Sequence, residues 1–75
     1  MPRLPQVSGK ELGRALTRLG FVLKSEKGSH MKFVRRHESR KEIIIVPRHK
    51  LIRKGTLHGI LKQLNLGLEK LKGLL

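Results

Sequence analysis

The sequence predicts a single α+β domain, helix–three strands–helix, with both helices on one face of an antiparallel sheet. Two observations place the helices: Leu12, Ala15, Leu16 and Leu19 recur at i, i+3, i+4 and i+7, and Leu57, Ile60, Leu61 and Leu64 repeat that spacing, one apolar stripe each. A third places the sheet. Between the stripes lie three short runs of strand formers, joined by polar links too short for a crossover, which makes the sheet an antiparallel meander. A chain of 75 residues has room for one core only.

Residues 1–7 hold Pro2, Arg3 and Pro5 and read as an extended arm. Ser8-Gly9-Lys10-Glu11 then spells a capping box, in which the Ser8 hydroxyl accepts from the amide three residues on and Glu11 reaches back to the Ser8 amide. Lys10, Arg14 and Arg18 take the polar side of the first helix, and Gly20 stands where a left-handed residue ends it. Phe21-Val22-Leu23-Lys24 reads as the first strand, followed by a turn at Glu26-Lys27-Gly28, with Gly28 suited to a positive φ.

Ser29 to Arg36 forms the second strand. Alternation sends Met31 and Phe33 to one face and His30, Lys32, Val34 and Arg36 to the other. His37-Glu38-Ser39-Arg40 is a polar hairpin turn, and Glu42 to Val46 is the third strand, closed by Pro47, which cannot donate to a ladder. Ile43, Ile44, Ile45 and Val46 place two branched apolar residues on each sheet face. Two helices cover one face, so the other pair, Ile43 and Ile45 or Ile44 and Val46, is expected to meet another molecule or to stay partly exposed.

Arg48 to Lys54 is a cationic connector. The second helix is expected to begin at Gly55-Thr56 with Thr56 as N-cap and to stop at Asn65. After it, Leu66, Leu68, Leu71, Leu74 and Leu75 allow a short third helix, which Gly67 and Gly73 weaken.

Eighteen Lys and Arg against five Asp and Glu give a formal charge of +13. A field of that sign selects an anionic partner, nucleic acid first and an acidic protein second. The cations are dispersed instead of gathered on one long amphipathic helix, which argues against a membrane surface. The chain has no cysteine, which excludes disulfides and thiolate metal sites and fits a reducing cytoplasm. Its longest apolar runs stop at four residues, short of a membrane span or a secretory segment.

The chemistry-bearing residues narrow the options further. There is no P-loop and no Gly-rich dinucleotide turn. Glu11, Glu26, Glu38, Glu42 and Glu69 are scattered, unlike the paired acids that hold Mg²⁺ in two-metal nucleases. His30, His37, His49 and His58 lack the helical spacing that serves zinc. No metal or other cofactor is called for. What remains is proton transfer by histidine assisted by cations. RNA suits that inventory, because its 2′-hydroxyl is a built-in nucleophile that DNA lacks.

His30 is the candidate catalyst, delivered by the Gly28-Ser29 turn onto a basic strand. Lys24, Lys27, Lys32, Arg35, Arg36 and Arg48 are candidates for phosphate contact and charge stabilisation. His49, beside Arg48 just past a strand end, either contacts RNA or caps its loop. Ser29 most simply satisfies a turn amide. His37 and His58 read as solvated, and Phe21 and Phe33 as core, so no stacking platform for single strands is present.

Ser8-Gly9-Lys10-Glu11-Leu12, Leu19-Gly20-Phe21, Lys27-Gly28-Ser29-His30, Val46-Pro47-Arg48-His49, Lys54-Gly55-Thr56-Leu57 and Ile60-Leu61-Lys62-Gln63 follow one another in an order that resembles the HicA toxin family. The resemblance covers roughly residues 8–66. It implies a double-stranded-RNA-binding-domain-like fold and an mRNA interferase, a cytoplasmic endoribonuclease of a toxin-antitoxin pair, neutralised by an acidic HicB-like antitoxin, as a homodimer or in a hetero-oligomer with that antitoxin. The family's catalytic histidine falls on His30, with Gly28 and Ser29 as turn and positioning residues. His49 matches the Val-Pro-x-His signature without an assigned role. The leucine-rich tail after Asn65 departs from the more acidic, aromatic-bearing ends of relatives. Two other readings of the same fold and charge stay open: a non-catalytic RNA-binding module, and a protein-interaction domain without nuclease activity.

Overall fold

The computed structural model describes residues 4–75, so Pro2 and Arg3 of the expected arm lie outside the described residues. Helix α1 spans Gly9–Arg18, strands β1, β2 and β3 span Val22–Lys27, His30–His37 and Arg40–Pro47, and helices α2 and α3 span Lys54–Leu64 and Leu68–Leu74. The strands pair antiparallel in the order β1-β2-β3. This α+β arrangement is consistent with a double-stranded-RNA-binding-domain-like fold.

Local sequence explains both ends of α1. The Ser8 hydroxyl accepts from the Glu11 amide at 3.0 Å, and the Glu11 carboxylate accepts from the Ser8 amide at 2.9 Å, so the capping box is complete. At the other end Gly20 adopts φ +97°, while Gly20 and Phe21 donate their amides to the carbonyls of Thr17 and Leu16. That is a Schellman motif, and it drops Phe21 into the core beside Leu16. Helix α2 ends the same way on Asn65, whose φ of +53° lets the Leu66 amide reach the Leu61 carbonyl at 2.9 Å.

The inner face of the sheet carries Met31, Phe33, Ile44 and Val46, all buried against Leu12, Ala15 and Leu16 of α1 and Leu57, Ile60 and Leu61 of α2. Burying a side chain of this kind contributes about 1.5–3 kcal/mol. Gly13 lets α1 lie close against the sheet, since a Cβ there would stand 2.8 Å from the Phe33 ring. Gln63 of α2 donates to the Ile43 carbonyl at 2.8 Å, tying the helix to the outer edge of β3.

Several boundaries differ from the expectations. Strand β1 begins after Phe21, which is 1 % exposed and belongs to the core, and it runs on to Lys27. The turn is therefore Gly28-Ser29 rather than Glu26-Lys27-Gly28, because Lys27 pairs with His30 across a two-residue loop. Helix α2 starts one residue before Gly55, with Arg53 as N-cap and no side-chain cap, so Thr56 lies inside the first turn. The cationic connector contributes a core residue, Ile52, whose amide donates to the Val7 carbonyl at 2.8 Å and anchors the end of the N-terminal arm. The leucine-rich tail is a docked helix: Leu71 is buried, and the Arg18 guanidinium donates to the Leu74 carbonyl at 2.8 Å.

Candidate functional site

Strand register fixes which side chains share the outer face. Directly paired residues lie on one face, so Lys27, His30 and Pro47 form one rung, Ser25, Lys32 and Ile45 the next, then Val22, Val34 and Ile43, then Arg36 and Lys41. The helices cover the opposite face. Ile44 is 1 % exposed whereas Ile43 is 37 % and Ile45 48 % exposed, so the apolar pair left uncovered is Ile43 and Ile45.

The Gly28-Ser29 turn positions His30. Gly28 takes φ +60°, the left-handed value that such a loop asks of its first residue, and nothing lies near enough to hinder it. The Ser29 carbonyl accepts from the Arg48 amide at 2.6 Å, which ties the turn to the chain just past β3. Among the described residues the Ser29 hydroxyl has no hydrogen-bond partner within the chain, so the expected turn-amide role is not the one it plays. His30 is exposed on the outer face.

The candidate phosphate contacts separate into three groups. Lys27, Lys32 and Arg36 share the outer face with His30. Lys24 sits in the β-bulge between Leu23 and Ser25, outside the regular pairing. Arg35 belongs to the inner side. Its guanidinium donates to the Glu42 carboxylate at 2.9 Å and to the Leu19 carbonyl at 2.8 Å, and lies 4.5 Å from the centre of the Phe21 ring. Arg48 pairs with Glu26 at 2.5 Å. Both of these arginines are already ion-paired within the chain.

The carboxylates are arranged correspondingly. The amide and hydroxyl of Ser8 hold Glu11 below its ordinary pKa, and the Arg35 hydrogen bond does the same for Glu42. Glu26 and Glu69 form ion pairs with Arg48 and Lys72, and Glu38 occupies the second hairpin turn. No carboxylate among the described residues falls on the outer face, so its positive charge is unopposed. No group of three or more His, Asp and Glu among the described residues could hold a metal ion.

Beyond the expected residues, the fold adds Lys41, Arg53 and Thr56. Lys41 joins the outer face through its pairing with Arg36. An open cavity of about 460 Å³ is lined by His30, Ile45, Pro47, His49, Leu51, Arg53 and Thr56. His30 and His49, nineteen positions apart in the chain, therefore share one cavity. Lys41 was within reach of a register argument from the two-residue Glu38-Ser39 turn. Arg53 and Thr56 carry no local signal, because only the docking of α2 beside the sheet end brings them there.

No helix among the described residues is long and apolar enough to cross a membrane. No curated protein matches the chain. A family model described as HicA toxin of bacterial toxin-antitoxin matches residues 9–66 of the chain.

Proposed function

The chain belongs to the HicA toxin family of bacterial toxin-antitoxin systems, and from that premise we propose that it is a metal-independent endoribonuclease that cuts mRNA. The observation that carries this reading is the outer sheet face. An exposed imidazole, His30, stands there among Lys27, Lys32, Arg36 and Lys41, with no carboxylate of the described residues on that face. The cations hold the RNA backbone and stabilise the charge that develops on phosphorus. His30 moves the proton, and the RNA's own 2′-hydroxyl attacks, so no protein nucleophile is required.

The same face supports an acidic HicB-like antitoxin as the neutralising partner. Ile43, Ile45 and Val22 are exposed between the cations, a surface that suits a partner offering apolar contact rimmed by acidic side chains. A partner seated there would cover His30 and the RNA track together.

Induced expression of the wild type and of His30→Ala tests the activity. The wild type is expected to arrest growth and shorten mRNA, and purified protein to cleave RNA in EDTA. His30→Ala is expected to keep the fold and RNA affinity and to lose cleavage. Cleavage by His30→Ala at the wild-type rate would refute the role of His30. RNA binding without any cleavage by the wild type would favour the non-catalytic module.

A further inference from the structure

We infer that His49 is the second proton-transfer group of the site, so that His30 and His49 act as a base–acid pair on one phosphodiester. The inference rests on the ribonuclease reading above. Cutting RNA by its own 2′-oxygen requires two proton movements on opposite sides of phosphorus. One group removes the 2′-hydroxyl proton as the 2′-oxygen–phosphorus bond forms, and another delivers a proton to the departing 5′-oxygen as its bond to phosphorus breaks. The products are a 2′,3′-cyclic phosphate and a 5′-hydroxyl, and the step needs no cofactor. A single imidazole on one side of the phosphate serves one of these oxygens.

The backbone brings a second imidazole to the cavity that His30 lines. Ser29 and Arg48 are joined by a 2.6 Å amide–carbonyl bond, and each immediately precedes one of the two histidines. Arg48 turns toward Glu26 on the inner side, while His49, past the end of β3, lines the same cavity as His30. The Gly9 amide donates to the His49 carbonyl at 2.9 Å, which pins the loop to the start of α1. Both imidazoles line the cavity of about 460 Å³, within the range of ~300–1,000 Å³ that small-ligand sites occupy. Ile45, Pro47 and Leu51 give it apolar walls, and Arg53 and Thr56 bring it a cation and a hydroxyl. Of the remaining histidines, His37 ends β2 at the second hairpin and His58 lies on α2, and neither lines this cavity.

The test measures single-turnover cleavage at saturating protein by the wild type, His30→Ala, His49→Ala and His49→Gln. Two substrates are used: an ordinary oligoribonucleotide, and one whose scissile 5′-oxygen is replaced by sulfur, a leaving group that needs no proton. His49 is exposed, so the variants keep the fold, which circular dichroism checks. On the ordinary substrate both His49 variants are expected to slow cleavage by about 10²–10⁴-fold. Sulfur is expected to restore the rate of one histidine-to-alanine variant and not of the other, and that response assigns the acid. His49 variants that cut the ordinary substrate near the wild-type rate, a His49→Gln variant that retains full rate, or sulfur rescue of both sites or of neither would each overturn the pair. A wild type that cuts neither substrate would instead remove the ribonuclease reading itself.

Discussion

Gly9 donates its amide to the His49 carbonyl at 2.9 Å, and the place where its Cβ would stand is already filled by the Pro47 carbonyl oxygen. The first residue of α1 thus holds the loop that carries one histidine of the cavity. Gly9→Ala must push backbone apart and is expected to destabilise the chain by about 1–3 kcal/mol. Gly55, also helical, has open space where a Cβ would stand. Gly55→Ala is expected to raise stability by about 0.5–1 kcal/mol. Urea unfolding of both variants checks the contrast, and equal effects would contradict the close approach at Gly9.

Acid should weaken the fold through two identifiable carboxylates. Glu11 and Glu42 are held below their ordinary value of 4.5 in the folded chain, so the unfolded chain binds their protons more readily. The stability they contribute is complete above that value and disappears as pH falls through their folded pKa. Unfolding followed from neutral pH down to about 3 is expected to show this loss, and Glu11→Gln with Glu42→Gln to flatten it. Ser8→Ala, which removes the cap hydroxyl, is expected to cost about 1 kcal/mol at neutral pH.

Neighbouring arginines on β2 are expected to behave oppositely. Arg35→Ala loses its bonds to Glu42 and Leu19 and its stacking on Phe21, a cost of about 1–2 kcal/mol, with RNA affinity unchanged. Arg36→Ala should leave stability within about 0.5 kcal/mol and lower the slope of log K against log salt by about 0.7. Denaturation and RNA titration at several salt concentrations read the two quantities separately.

Consecutive isoleucines on β3 make the same comparison for the two sheet faces. Ile44→Ala should cost about 2–5 kcal/mol, because the side chain is 1 % exposed in the core. Ile45→Lys should leave stability within about 0.5 kcal/mol, because Ile45 is 48 % exposed. The same Ile45→Lys change should weaken capture of an acidic antitoxin. Equal destabilisation by the two changes would reverse the assignment of the faces.

Much of this was legible in the sequence wherever the signal was local. The Ser8–Glu11 box, the Gly20 stop, the Met31 and Phe33 alternation and the Asn65 stop depend on spacings of one to four residues, and each is found where expected. Turn boundaries were less legible, because ladder pairing extended β1 to Lys27 and pushed the turn onto Gly28-Ser29. Ile52 was hidden inside a cationic run, and its burial depends on a bond to Val7, forty-five positions earlier.

The sequence by itself determined the element order, the faces of β2 and the prominence of His30, since side-chain periodicity and turn chemistry act between near neighbours. It also determined the strong positive charge that favours an anionic partner, because charge adds up without regard to folding. Only the tertiary structure decided which apolar pair of β3 stays uncovered, which arginines are spent on Glu26 and Glu42, and that His49 shares a cavity with His30. Those facts depend on strand register and on where α2 docks, and both are set by packing between residues far apart in the chain.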